Sequence, residues 1–286
     1  MNGLTSPFLS LVDRTGRRRS TTLPGLFAAE MRDEIDDLPA VRPHQRAPLH
    51  AFLAQRGALA ALAVGRFALP DEEADWAAAL RKLTLGYPAD EPWNLIVDDV
   101  KKPALLQPPI PEGRIDALKD RELTPDALDY LVTSKNHDLK AARIIDATLE
   151  HWFLALLTLQ TMEGFLGQGN YGVSRMNGGF ASRPLVGLAP HGGIGARLAR
   201  DIRRLLDLRL DPPENDPYAG YQKTGGLALL WLEPWDGVAQ LTPSALDPYY
   251  VEICRRVRLV IENGRIVARR AAARRRVSRA QKKRMA

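Results

Sequence analysis

YYVEICRRVRLVIENGRIVAR, residues 249–269, decides the fold class. Val, Ile and Tyr dominate it, and Glu262-Asn263-Gly264 interrupts it with a strong signal for a tight hairpin turn. Together with LALLWLE, residues 227–233, it makes the chain β-rich from Gly226 onward. The preceding residues read differently. FLSLV and RRRSTTL flank a DRTG turn and predict a short hairpin over residues 8–23. Pro24 opens a helix to about Ile35, and a second helix is expected from Pro48 to Phe67. DEEADWAAALRKL, from Asp71, has acids first and bases last, matching the helix dipole. Residues 86–116 are rich in proline and glycine, with WNLIV strand-like inside them. Thr124-Pro125-Asp126 starts a helix ending near Val132. A buried helix spans 149–167, and another covers 195–208 with its arginines on one side. The expected class is α+β: one large mixed helical and antiparallel-strand domain, residues 1–268, with β-hairpins near both ends and a basic tail, residues 269–286.

The charge distribution is uneven. Residues 255–286 hold 13 Arg or Lys against one acid, Glu262, a local charge of +12. The net +6 of the chain is the difference between that and −6 over residues 1–254. A run such as RRAAARRRVSRAQKKR points to an anionic partner, with Arg274, Arg275, Arg276, Lys282 and Lys283 as phosphate contacts. The other reading is a solvated end. The single cysteine, Cys254, rules out a disulfide framework and a cysteine-cluster zinc site, which suits a reducing cytoplasm. The N-terminal charge follows a short apolar patch, the wrong order for a signal peptide, and no apolar run is long enough to span a bilayer. The expected protein is cytoplasmic, with no membrane partner.

Enzyme signatures are missing. His44, His50, His137, His151 and His191 never fall in metal-ligand spacing, and no P-loop or G-x-S-x-G elbow occurs. His191 in APHGGIG has no nucleophile to serve, and His137 beside Ser134 is too close in sequence to form a triad. The expectation is no catalytic residue, no metal and no cofactor.

Two loops read better as binding elements. TSKNHDLKAARI, residues 133–144, places the donors Ser134, Lys135, Asn136, His137 and Lys140 within short reach of one another. Capping of a following helix by Ser134 or Asp138 explains the same residues. GNYGVSRMNGGFASRPLVG, residues 169–187, has five glycines. In it Arg175 and Arg183 suit phosphate, and Asn177 suits a base edge or a turn cap. A connector between helix and strand is the alternative.

Several stretches together resemble the CasA family, the large subunit of the type I-E CRISPR surveillance complex Cascade. They are LPGLFAAEMRDEIDDLPAVRPHQRAPLHAFLAQ (23–55), VTSKNHDLKAARI (132–144), LLTLQTMEGFLGQGNYGVSRMNGGFASRP (156–184), LLWLEPWDG (229–237) and LDPYYVEICRRVRL (246–259). They occur in the family's order over nearly the whole chain. The resemblance implies a non-catalytic, crRNA-guided subunit that recognises the PAM in target double-stranded DNA. It also implies contact with other Cascade subunits and recruitment of a helicase–nuclease effector; base pairing reads the sequence and protein reads the PAM. Lys135, Asn136 and His137 stand where the family's loop docks on the crRNA handle and a neighbouring subunit. Asn177, Gly178, Gly179 and Phe180 stand where its glycine loop meets the PAM minor groove. A glycine backbone fits there because a side chain would collide. Met176 and Asn177 interrupt the family's glycine run. Its minor-groove lysine, glutamine-bearing wedge and C-terminal four-helix bundle are assigned to no residue here. A stand-alone nucleic-acid-binding protein using the basic tail is the competing reading.

Overall fold

The computed structural model describes residues 1–65, 68–129, 144, 146–162 and 192–273. The fold class is α+β. Strands β1 (Leu9–Asp13) and β2 (Arg18–Thr21) form the expected N-terminal hairpin, with Leu11 facing Arg19. Helix α1 (Leu23–Met31) follows, capped by Thr22, whose hydroxyl accepts from the Gly25 amide at 2.9 Å. It stops four residues before the expected Ile35. Asp33 takes a left-handed φ of 53°, which turns the chain back, and β3 (Ile35–Asp37) pairs with β1 as a third strand.

Helix α2 (Pro43–Ala63) starts five residues earlier than expected. Pro43, not Pro48, occupies the first turn, and the Arg42 amide donates to the Gln45 carboxamide at 3.1 Å. Pro48 lies inside the helix and is buried. Helix α3 (Glu73–Lys82) matches expectation, with Glu73 and Asp75 in its first turn and Arg81 and Lys82 in its last. WNLIV is not a strand: Trp93 closes a 3₁₀ turn, and Asn94 forms only an isolated bridge with Asn2.

β4 (Asp120–Glu122), which the sequence does not announce, lies on the outer edge of a three-stranded sheet with β7 (Arg256–Glu262) in the far position. Between them runs β8 (Arg265–Ala271), joined to β7 by the expected Asn263-Gly264 turn, both residues at positive φ. α4 is a single helical turn, Pro125–Leu128, and Asp129 is already extended. α5 (Leu149–Met162) is buried on every side from Trp152 to Gln160, as its unbroken apolar sequence requires. α6 is Ile194–Leu210. β5 (Leu227–Leu229) and β6 (Leu246–Val251) pair in parallel, against the antiparallel expectation, and LALLWLE leaves strand geometry at Leu230.

One core joins these elements. Trp76, Trp93, Trp152 and Trp231 are fully buried within it. Indole N–H groups need acceptors when buried. Trp93 donates to the Thr84 hydroxyl at 2.9 Å and Trp231 to the Pro92 carbonyl at 3.0 Å. The irregular stretch around residues 95–107 is held by two polar side chains. The Gln107 carboxamide donates to the carbonyls of Leu95 (2.8 Å) and Leu105 (3.0 Å) and accepts from the Leu259 amide at 2.6 Å. Arg258, fully buried, donates to the carbonyls of Lys102 (2.9 Å), Val97 (3.0 Å) and Asp99 (3.2 Å). Backbone without a ladder is thus satisfied by side chains instead.

Candidate nucleic-acid interface

Every candidate binding residue of the two expected loops falls outside the described residues: Ser134, Lys135, Asn136, His137 and Lys140, and Arg175, Asn177, Gly178, Gly179, Phe180 and Arg183. So do Arg274, Arg275, Arg276, Lys282 and Lys283 of the tail. The structure instead defines the stems from which these segments depart.

The segment carrying TSKNHDLK is rooted on two buried carboxylates of the α4 turn. Asp126 accepts from Arg42 at 2.6 Å on one oxygen and from the Ile144 amide at 3.1 Å on the other. Asp129 accepts from the Gln45 carboxamide at 2.7 Å and bonds His44 Nε2 at 2.7 Å. One carboxylate therefore ties the residue after the segment to the turn before it, and both ends are pinned to the start of α2. The helix expected to reach Val132 stops at Leu128 because Asp129 turns inward to this anchor.

The glycine-loop segment leaves from the far end of α5. There Gln160, fully buried, donates to the carbonyls of Leu106 and Arg255, both at 3.0 Å, and accepts from the Arg255 amide at 2.8 Å. Toward the other end of α5, ten residues and about 15 Å away, Glu150 accepts from the Ser10 amide and hydroxyl at 2.7 and 2.6 Å. The chain returns at Gly192 and Gly193. A Cβ on Gly193 would lie 2.6 Å from Asp33 Oδ1 and 2.8 Å from Arg14 Nη2, and one on Gly195 would run into the Glu30 carbonyl. Gly195 thus serves the close approach of α6 to α1, and Gly193 its approach to the Arg14–Asp33 pair. The return point faces Arg46, Leu49 and His50 of α2, and His50 Nε2 bonds Asp201 at 2.7 Å. The first half of α2 thus carries both stems of one segment and the returning stem of the other.

The tail departs beside the remaining stem. Ala273 is buried, and a Cβ on Gly237 would meet both its Cα, at 3.3 Å, and the Arg256 side chain. β8 runs through Ala271, so Arg269 and Arg270, counted with the tail in the sequence, are strand residues paired with Glu262 (2.6 Å) and Glu122 (2.7 Å). Arg255, Arg256 and Arg258 are buried as well. The basic count of residues 255–286 therefore overstates the cationic surface.

Some exposed cations do remain uncommitted. Arg17 and Arg18 on the β1–β2 hairpin, and Arg203 and Arg204 on α6, are exposed and have no acidic partner among the described residues. Arg14 of the same hairpin pairs with Asp33, at the foot of α6. The one-sided arginines of α6 were visible in the sequence; the hairpin arginines carried no signal beyond their turn.

The described histidines are engaged structurally. His44 and His50 each bond an aspartate, and His151 bonds Thr148. Burial lowers the pKa of His50 despite Asp201, and lowers that of His151. Among the described residues no group of three or more His, Cys, Asp or Glu is placed to hold a metal ion. No described helix is long and apolar enough to cross a membrane.

This arrangement is a Cse1-like fold. It is similar to that of CasA (Cse1) from Thermus thermophilus, at 17% identity and a TM-score of 0.50, over 98% of this chain and 56% of that one. Cse1 from Thermobifida fusca matches at 15% identity and a TM-score of 0.51, over 100% of this chain and 56% of that one. The chain spans just over half the length of either structure. No protein-family model and no curated protein sequence matches it.

Proposed function

We propose that this chain is a non-catalytic large subunit of a Cascade-type, crRNA-guided surveillance complex, reading the PAM in target double-stranded DNA. The carrying observation is the Cse1-like fold over 98–100% of its length. The family's motifs, in order along the sequence, support it. In this reading Lys135, Asn136 and His137 contact the crRNA handle or a neighbouring subunit, and a helicase–nuclease is recruited after binding. Asn177, Gly178, Gly179 and Phe180 press on the PAM minor groove, where backbone N–H groups meet base acceptors. Arg175, Arg183, Arg17, Arg18, Arg203 and Arg204 neutralise phosphates without reading sequence. The residues after Ala273 add a cationic tail, and the complex works in the cytoplasm without a cofactor.

The test is reconstitution with guide RNA and partner subunits, followed by binding to duplex and to pre-opened single strand. Gly178→Ala or Gly179→Ala should weaken binding to duplex carrying the flanking motif and leave single-strand binding unchanged. Equal losses on both substrates, tracking a lowered Tm, would reduce the loop to a connector. A chain that never co-purifies with a defined small RNA, and binds any duplex with a steep salt dependence, would be a stand-alone nucleic-acid binder instead.

A further inference from the structure

At the junction of α1, α2 and α6 the core is not filled. A cavity of about 130 Å³ opens between Leu38, Leu49, Leu53 and Leu198, and Glu30 forms part of its wall. Glu30 is 1% exposed, and neither carboxylate oxygen has a hydrogen-bond partner. A buried polar group without a partner is heavily penalised, and native structures rarely leave one so. Two of the three cations around it are committed elsewhere. Arg46, on α2, pairs with Asp37 at 3.0 Å. His50, also on α2, bonds Asp201, whereas Arg197 of α6 only approaches that aspartate at 3.9 Å, and its buried Nε has no hydrogen-bond partner. Asp33 adds repulsion; burial first, and then this neighbour, push Glu30 up to about 8.

We propose that this cavity receives a primary ammonium group on a short aliphatic stem, with the Glu30 carboxylate as its counter-ion. The apolar walls suit the stem. The volume approaches that of an engineered cavity of about 150 Å³ that holds one benzene, so a chain of roughly four to six carbons fits. An anion is repelled by Glu30 and Asp33. A guanidinium would bring five donors to a site offering one carboxylate, whereas an ammonium brings three, two for Glu30 and one for water at the mouth. The mouth is solvated: the side chains of Arg46 and Arg197, which border it, are 56% and 42% exposed. Such a group is offered by a lysine side chain of another protein or by a free aliphatic amine. The site is independent of the nucleic-acid reading above, so either can fail without the other.

The test uses the whole 286-residue chain with n-butylammonium chloride, and with n-butanol and NaCl as controls. Leucine methyl resonances of Leu49 and Leu198 should shift with butylammonium and not with salt. Calorimetry should give affinity at least tenfold above that of butanol, with proton release on binding, because the amine pairs with the ionised carboxylate. Apparent affinity should rise roughly tenfold from pH 6.5 to 8 as Glu30 ionises. Burial depresses the pKa of His50, so its charge is lost before that of a free imidazole as pH rises. Glu30→Gln should cost tenfold or more in affinity. Nα-acetyl-lysine amide separates the sources: if it binds too, the cavity takes a lysine side chain, and if it does not, a free amine. Unmoved methyl signals, affinity equal to butanol, no proton release, or undiminished binding to Glu30→Gln would each overturn the proposal. The first three are read on the wild-type chain and do not depend on the variant folding.

Discussion

The β7–β8 ribbon, residues 256–271, and helix α6, residues 194–210, each carry five arginines and use them differently. In the ribbon Arg256, Arg269 and Arg270 each face a glutamate, and Arg258 is sealed among carbonyls. On α6 the buried stripe is Leu198, Ala199, Ile202 and Leu206, so Arg203 and Arg204 fall on the solvent side. A strand in a sheet meets neighbours along its edges, which bring glutamates and carbonyls to it. On α6 Arg200 and Arg209 also find aspartates, Asp201 and Asp247, whereas Arg203 and Arg204 point to water. Arginine density is therefore no measure of nucleic-acid affinity; the geometry of the element decides which guanidinium groups are left for phosphate.

The largest effect expected tests a partly buried arginine outside the ribbon that serves buried carboxylates. Arg42→Ala strips the cation from two buried carboxylates, Asp126 and Asp129, and should cost about 3–5 kcal/mol. Chemical denaturation measures it, and a loss under 1 kcal/mol would show that the α4 anchor is not electrostatic. Arg258→Met comes next. It leaves the carbonyls of Lys102 and Val97 without this donor, Asp99's keeping the Lys102 amide, and should cost about 3 kcal/mol, while the salt slope of nucleic-acid binding by the folded fraction stays unchanged. A reduced slope would place Arg258 at the interface and break the distinction.

Glu30 gives a comparable effect with a sign fixed by linkage. Its folded pKa of about 8 lies above the unfolded value near 4.3, so the native state binds the extra proton. Stability is full below about pH 4 and declines as pH rises from there to 8, by a few kcal/mol if Glu30 acts alone. Glu30→Gln should flatten the denaturation midpoint over pH 5–8, and an equally steep profile in the variant would assign the slope to other groups. Gly195→Ala, which drives a Cβ into the Glu30 carbonyl, should cost about 1–3 kcal/mol by forcing α6 away from α1. An unshifted Tm would mean that the two helices separate freely.

The smallest effect on stability is expected for the outward-facing class. Arg203→Ala with Arg204→Ala should change stability by less than about 0.5 kcal/mol. It should also lower the salt slope of nucleic-acid binding by about 1–2, in proportion to the phosphates released. An unchanged slope would show that α6 does not face nucleic acid.

The α+β class, the two hairpins, the buried α5 and the arginine-lined outer face of α6 are legible in consecutive residues. Each rests on local periodicity or on a turn that needs Asn-Gly, and local rules are written in consecutive residues. The sequence also showed the segments around TSKNHDLK and MNGGF as donor-rich and glycine-rich, though their own geometry lies outside the described residues. Where α1 and α4 end is set by contacts outside those elements, Asp33 with Arg14 and Asp129 with His44 and Gln45. The same is true of β4, which exists through its pairing with β8, and of Arg258 and Arg56, both buried in a sequence that marks them as surface charges. Arg56 donates to the Tyr249 carbonyl, 193 positions away, and burial lowers its pKa to about 9. A charge's fate depends on what the fold brings against it, and contacts separated by a hundred residues leave no period to read.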